Sequence, residues 1–208
     1  MSPLSDNTTR PADGLYAVVL AAGASTRFGS VKQLVRIAGR PLLHIAVTRA
    51  AEVTGNALIV VLGSGAVELA PLLKHSPGSV VVNHDWREGL ASSIRTGVAR
   101  LPAACSGVML LLADQPAVTA DDLRRLAGTW RKQPQHIAAA LYGGACGVPA
   151  IFPRSSFRAL SELRGDAGAR ALLRRNSDRI VRVPMPSAAV DVDTPEDLLA
   201  LEAPSSGA

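Results

Sequence analysis

A chain of 208 residues, 48% of them hydrophobic, is long enough to bury one good-sized core and too apolar to be disordered over most of its length. No apolar run approaches the roughly 18 residues of a membrane span, which excludes a transmembrane helix. The net charge of +5 suits a polyanionic partner, but the basic residues are scattered and aromatics make up only 3%; this argues against nucleic acid and leaves an anionic small substrate.

Residues 1–14 are polar, contain acids and lack the apolar stretch of a signal peptide, so they read as a disordered leader on a cytoplasmic protein. Residues 204–208 read as a loose tail, and 15–203 as a single domain without repeats or an internal linker. Its first strand is YAVVL (16–20). A helix follows over 41–53, with Pro41 in its first turn, then a strand over 56–63. A shorter helix over 65–75 carries an internal Pro71. The pattern continues with a strand at 79–83, a helix at 89–101, a strand at 107–114, and a helix at 119–133 that Thr119 caps with acids behind it. Strands at 136–142 and 148–152 flank YGGACG, which predicts a hairpin-type excursion. A strand at 179–184 precedes a last helix, 194–203, with Thr194 as cap and Pro195 in first position. Continuous apolar strands alternating with helices predict a Rossmann-like three-layer α/β/α fold, its sheet mostly parallel with one antiparallel excursion. Ligands of such sheets sit beyond the carboxyl ends of the strands.

The unusual residues fall at those ends. After the first strand, LAAGASTRFGSVKQL (20–34) brings Gly23, Ala24, Ser25, Arg27, Gly29 and Lys32 together. Gly23 admits a ligand close to the backbone, Arg27 can fork onto phosphate oxygens, and Lys32 adds a point charge. A strand, a Gly-rich turn and a helix make an anion site. The spacing matches neither G-x-x-x-x-G-K-[ST] nor G-x-G-x-x-G. Gly89 opens a helix whose first turn carries Ser92 and Ser93, suited to a base or ribose or to a plain helix start. Asp114 closes a strongly apolar strand, where a carboxylate is costly unless neutralised; a hard cation such as Mg2+ fits better than a cap. Asp191 and Asp193 alternate with Val and share one side of an extended segment. Cys105 and Cys146 have no metal-ligand spacing, and His44, His75, His84 and His136 are isolated in sequence. With no nucleophile–base pair evident, the chemistry is one of alignment and charge neutralisation.

L-x-A-G-x-S-x-R-x-G-x-x-K resembles the opening loop of the glycosyltransferase-A-like nucleotidyltransferases, and among them the molybdenum-cofactor nucleotidyltransferases. The resemblance extends through NHDWREGLASSIRTG, LLLADQP, YGGACGVPAIF, GDAGAR and AVDVDTPEDLLAL, and so over most of 15–203. It implies that Ala21, Ala22, Gly23, Ala24, Ser25, Arg27 and Lys32 wrap a triphosphate and that Gly89, Leu90 and Ser93 sit near the nucleotide. Gly147, Pro149, Asp166 and Arg170 are then contacts to the acceptor. It further implies that Asp114 binds Mg2+, with Asp193, or secondarily Asp191, as the other carboxylate. Arg27, Lys32 and Asp114 become the catalytic set. One departure is Val148, where a polar residue, often His, is expected between Gly147 and Pro149. The A-A-G opening is similar to the cytidine-using branch rather than the guanylyl A-G-G. The implied reaction moves CMP from CTP to the terminal phosphate of the molybdopterin cofactor and releases pyrophosphate. A molybdoenzyme or its maturation chaperone is the implied partner. Two alternatives share these residues: GTP or another phosphorylated acceptor, and a cofactor-binding protein or oxidoreductase on the same scaffold.

Overall fold

The computed structural model describes residues 13–24, 28–29, 31–166 and 168–202. Strand β1 (Leu15–Ala21) is buried throughout and feeds two cores by strict alternation. Leu15, Ala17, Val19 and Ala21 face one side of the sheet; Val18 and Leu20 face the other. After a two-stranded ribbon, β2 (Arg36–Ile37) and β3 (Arg40–Pro41), the main sheet continues with β4 (Leu58–Leu62), β5 (Ser79–Val82), β6 (Gly107–Leu112), β7 (Ile137–Tyr142), β8 (Ala145–Pro153) and β9 (Ile180–Pro184). Its order is β5-β4-β1-β6-β8-β7-β9. All neighbours are parallel except at β8, which runs antiparallel to both β6 and β7. The predicted hairpin is there. Gly143 and Gly144, at φ +55° and +77°, make the two-residue turn between β7 and β8, a geometry that asks for residues tolerating positive φ.

The first core is covered by α1 (Leu42–Thr54) and α4 (Ala120–Lys132), through Leu43, Val47, Leu123, Leu126 and Trp130. The second is covered by α3 (Leu90–Val98), α5 (Phe157–Ser161) and α6 (Gly168–Arg175), through Ala91, Ile94, Leu160, Leu172 and Leu173. The three-layer α/β/α reading is the observed architecture. Thr119 caps α4 in a full capping box, its hydroxyl accepting from the Asp122 N–H while the Asp122 carboxylate accepts from Thr119 N. Thr119→Ala is expected to cost about 1 kcal/mol, measurable as a lowered denaturation midpoint with unchanged slope.

Three details differ from the sequence expectation. The helix expected over 65–75 is a single turn, α2 (Ala66–Leu69), followed by 3-10 geometry over Ala70–Leu73, because Pro71 has no N–H to continue the ladder. Between the strands at 148–152 and 179–184, where no helix is assigned from the sequence, the chain forms two helices, α5 and α6, separated by a turn in which Gly165 takes φ +65°. Asp13 and Gly14, assigned to the leader, are held in place: Asp13 accepts from Leu15 N and pairs with Arg131, and Gly14 O accepts from Ser106 N. The last helix, α7 (Pro195–Glu202), begins where predicted. Among the described residues no helix is long and apolar enough to cross a membrane.

Cys105 is 1% exposed, and burial pushes its thiol up to about 11. Cys146 is only partly buried. Iodoacetamide at pH 8 is therefore expected to label Cys146 in the native protein and to reach Cys105 only after unfolding, as peptide mapping by mass spectrometry would record.

Candidate active site

A cleft of about 550 Å3 opens where β1 and β6 end and is flanked by the segment after β5. Its floor is a three-residue cluster. Lys32 Nζ lies 2.8 Å from Asp114 Oδ2 and 2.8 Å from Asp193 Oδ1. These residues are 82 and 161 positions away from Lys32 in the chain, and the fold brings them together by identifiable means. Asp114 follows β6, which pairs with β1. The backbone carbonyl of Asp114 accepts from Val192 N at 2.9 Å, which stitches the 191–193 segment alongside it. Asp193 N and Thr194 N both donate to the Asp197 carboxylate while Asp197 N donates to Thr194 Oγ1, so Thr194 caps α7 as predicted and Asp197 fixes the backbone that carries Asp193.

The electrostatics are those of a concentrated acidic site with a built-in counter-ion. Burial disfavours the Lys32 ammonium, but Asp114 and Asp193 outweigh it and hold its pKa above the usual value. Asp191 lies behind the cleft rather than on its wall. Burial and the charges of Asp114 and Asp193 push its carboxyl up, against the opposing pull of Gln115 and Arg170. Asp114 Oδ1 and Asp191 Oδ1 are both buried without a hydrogen-bond partner. Buried carboxylate oxygens left open in this way suit a hard cation, which takes oxygen ligands.

The opening loop is positioned by residues that the sequence reading passed over. Gly63 packs on Ala22: a Cβ there would stand 2.5 Å from Ala22 O and 2.7 Å from Ala22 Cβ. Ser64 N donates to Ala22 O, and Gln33 Nε2 reaches Ala21 O and Gly23 O at 3.4 and 3.5 Å. Gly23 and Ala24 stand exposed at the cleft, with nothing among the described residues within 4 Å of where a Gly23 Cβ would point. Ser25 and Arg27 lie outside the described residues. A helix does not follow the loop directly, contrary to the strand–turn–helix expectation. Lys32 sits on a 3-10 turn, Lys32–Leu34, and the β2–β3 ribbon intervenes before α1. The site therefore relies on the loop and on Lys32, not on the dipole of α1.

The opposite wall comes from the segment after β5. Asn83, 3% exposed, donates to Ser92 Oγ and Ser93 Oγ at 2.8 and 3.0 Å and accepts from Asp85 N. Ser92 also donates to Gly89 O, so its hydroxyl serves the helix start. Ser93, Gly89 and Leu90 line the cleft, with Trp86 and Arg87 beside them; the Arg87 guanidinium stacks 4.3 Å above the Trp86 ring. Asn83, Trp86 and Arg87 were visible in the NHDWREG block, and an amide just after a strand was the available signal for Asn83.

The four residues grouped by sequence as acceptor contacts separate in space. Asp166 lines this same cleft, packed on Gly89, and Gly165 O accepts from Ala91 N at the start of α3. Arg170 lines a second cleft, of about 880 Å3, together with Tyr142, Cys146, Leu173, Arg174 and Arg182. Gly147 and Pro149 are buried and line neither. The Tyr142 ring fills the space above Gly147 and its hydroxyl donates to Val148 O, which also accepts from Gln115 Nε2. This bend braces Gln115, the residue next to Asp114. From the other side, Arg49 on α1 donates to the carbonyls of Pro116 and Val118. Basic residues also gather in space at the second cleft, which Arg170, Arg174 and Arg182 line.

Residues 17–180 match the model of the MobA-like NTP transferase domain. The chain belongs to this family. Membership of this family makes it a nucleotidyltransferase. It is 31% identical to nicotine blue oxidoreductase of Paenarthrobacter nicotinovorans over 195 residues, covering 88% of this chain and 94% of that protein. It is 27% identical to a probable molybdenum cofactor guanylyltransferase of Nostoc over 91% of both chains. The crystal structure of Rv0371C of Mycobacterium tuberculosis in complex with manganese superposes with a TM-score of 0.75 at 29% identity, covering 90% of this chain and 96% of the other.

Proposed function

We propose that the protein transfers CMP from CTP to the terminal phosphate of the molybdopterin cofactor, with release of pyrophosphate. One observation carries this reading. A glycine-containing loop and a buried lysine flanked by two carboxylates share one cleft. Attack of one phosphate on another needs charge neutralisation and alignment, and no protein nucleophile. The molybdenum cofactor named for the Nostoc relative supports the acceptor, and the manganese complex of the mycobacterial neighbour supports a divalent ion.

In this reading Asp114 and Asp193 hold Mg2+, with Asp191 behind them. Bound there, the ion would supply positive charge to offset that of the phosphates. Gly23 and Ala24 let the β- and γ-phosphates approach the backbone. Arg27 and Lys32 balance the charge of the departing pyrophosphate. Gly89, Leu90 and Ser93 hold the nucleoside, and Asn83 orients Ser93. The acceptor's organic body extends toward the second cleft, which Arg170 and Tyr142 line. Ala22 is 5% exposed and turned toward Gly63. It acts on base choice by setting the height of the loop rather than by blocking the base.

The test is pyrophosphate release with Mg2+ and molybdopterin cofactor, comparing CTP, GTP and ATP. Turnover with CTP alone supports the full reading, whereas turnover with GTP alone reassigns the base. A second reading, an oxidoreductase on this scaffold, is favoured by the name of the Paenarthrobacter relative. A redox cofactor visible in the absorption spectrum of the purified protein, with no pyrophosphate released from any nucleotide, would replace transfer with that reading.

A further inference from the structure

Lys32 has two calls on one ammonium. The transfer reading sends it to the triphosphate, yet its Nζ lies between Asp114 Oδ2 and Asp193 Oδ1 at 2.8 Å from each. Those two oxygens belong to the carboxylates assigned to the metal. Two oxygens that both contact one nitrogen point at one position, and a small cation held there at about 2.1 Å would draw them together around it. Ammonium and metal therefore cannot both occupy that position. Lys32 is 8% exposed, so its charge is little screened by water, and a divalent ion arriving alone must displace a well-placed cation. Displacement leaves a buried ammonium without its carboxylates, which is costly unless another anion receives it. Lys32 lines the same cleft as Gly23 and Ala24, and its four-carbon stem can swing the ammonium without moving the backbone. A triphosphate lying on the loop is an anion that the transfer reading brings within reach.

Resting on the transfer reading, we propose that Lys32 is an exchangeable counter-ion: metal displaces it from Asp114 and Asp193, and the nucleotide's phosphates accept it. Metal and nucleotide then bind as a coupled pair, and the protein resists loading with bare metal. Asp197 keeps the Asp193 backbone fixed throughout, so the exchange is a side-chain event.

The coupling can be read by Mn2+ titration followed by electron paramagnetic resonance, with and without CTP, on the wild type, Lys32→Met and Lys32→Met/Asp114→Asn. The expected result is that Lys32→Met binds bare Mn2+ about tenfold or more tightly than the wild type, since the resident cation is gone. CTP should raise Mn2+ affinity strongly in the wild type and much less in Lys32→Met. The double variant should fall back to weak binding. Thermal melts with and without Mn2+ check that each variant is folded, and the Mn2+-dependent rise should be largest for Lys32→Met. Equal or weaker bare-metal binding by folded Lys32→Met, with Mn2+ and CTP still binding together to the wild type, overturns the exchange and leaves the transfer reading standing. No Mn2+ binding by any form, with or without CTP, overturns both.

Discussion

Asp114→Asn is expected to lower nucleotidyl transfer by about 10²-fold or more while leaving the fold intact, a loss of roughly 3 kcal/mol of transition-state stabilisation. The substitution keeps the shape of the side chain and leaves the backbone carbonyl that accepts from Val192 N in place. It removes one of the two carboxylates that touch Lys32 and the charge nearest to buried Asp191. Lys32 keeps Asp193, so the cluster remains partly paired. Single-turnover pyrophosphate release measures the rate, and a thermal melt checks the fold. A variant that is folded and fully active would remove Asp114 from the metal site and move the search to Asp191.

Gly89→Ala is expected to cost about 3 kcal/mol of stability and to weaken nucleotide binding. Gly89 sits at φ +100° and ψ −177°, a region essentially reserved for glycine, where a side chain costs roughly 1–3 kcal/mol. An added Cβ would also stand 2.8 Å from both the carbonyl carbon and the oxygen of Gly165, and would press on the Asp166 carboxylate. Backbone cannot fold aside as a flexible side chain can, so the 165–166 turn must lift from the start of α3. A fall in melting temperature of roughly 6–12 °C follows for a chain of this size. Gly23→Ala is the matched comparison. Nothing among the described residues lies within 4 Å of its added methyl, so its melting temperature should hold. If phosphates approach the Gly23 backbone, nucleotide affinity should still drop.

The sheet was legible because its strands are buried on both faces and so read as unbroken apolar runs; β1, β4 and β6 are the clearest cases. The Gly143–Gly144 turn announced the hairpin for an equally local reason. The candidate site was legible only in part. Asp114 stood out because a carboxylate ending GVMLLLA conflicts with its apolar surroundings, and the D-x-D-T-P-E-D-L block drew attention to Asp193. The resemblance put Asp114 and Asp193 on one metal, but the Lys32 ammonium set between them was not readable, since nothing local encodes a contact spanning 161 residues. Gln33, Gly63 and Arg49 went unremarked because they act on backbone carbonyls, and any sequence offers many such donors and small residues. The split of GDAGAR between two clefts arises because Gly168 starts a new helix, which turns Arg170 away from Asp166.

The stitch between Val192 N and the carbonyl of Asp114 also has a temporal side. Strands β1, β4, β5 and β6, with the loop and Lys32, are all encoded before residue 113 and can assemble from neighbouring parts of the chain. The second proposed metal carboxylate arrives about eighty residues later, after β8 has reversed and β9 has sealed the sheet edge, because loop closure over long separations comes late. A folding intermediate with the front half formed would hold a nucleotide-shaped cleft with Lys32 paired to Asp114 and no Asp193. Under the proposed metal assignment such a species would lack its second carboxylate, and transfer competence would wait on the closure of the 191–193 segment.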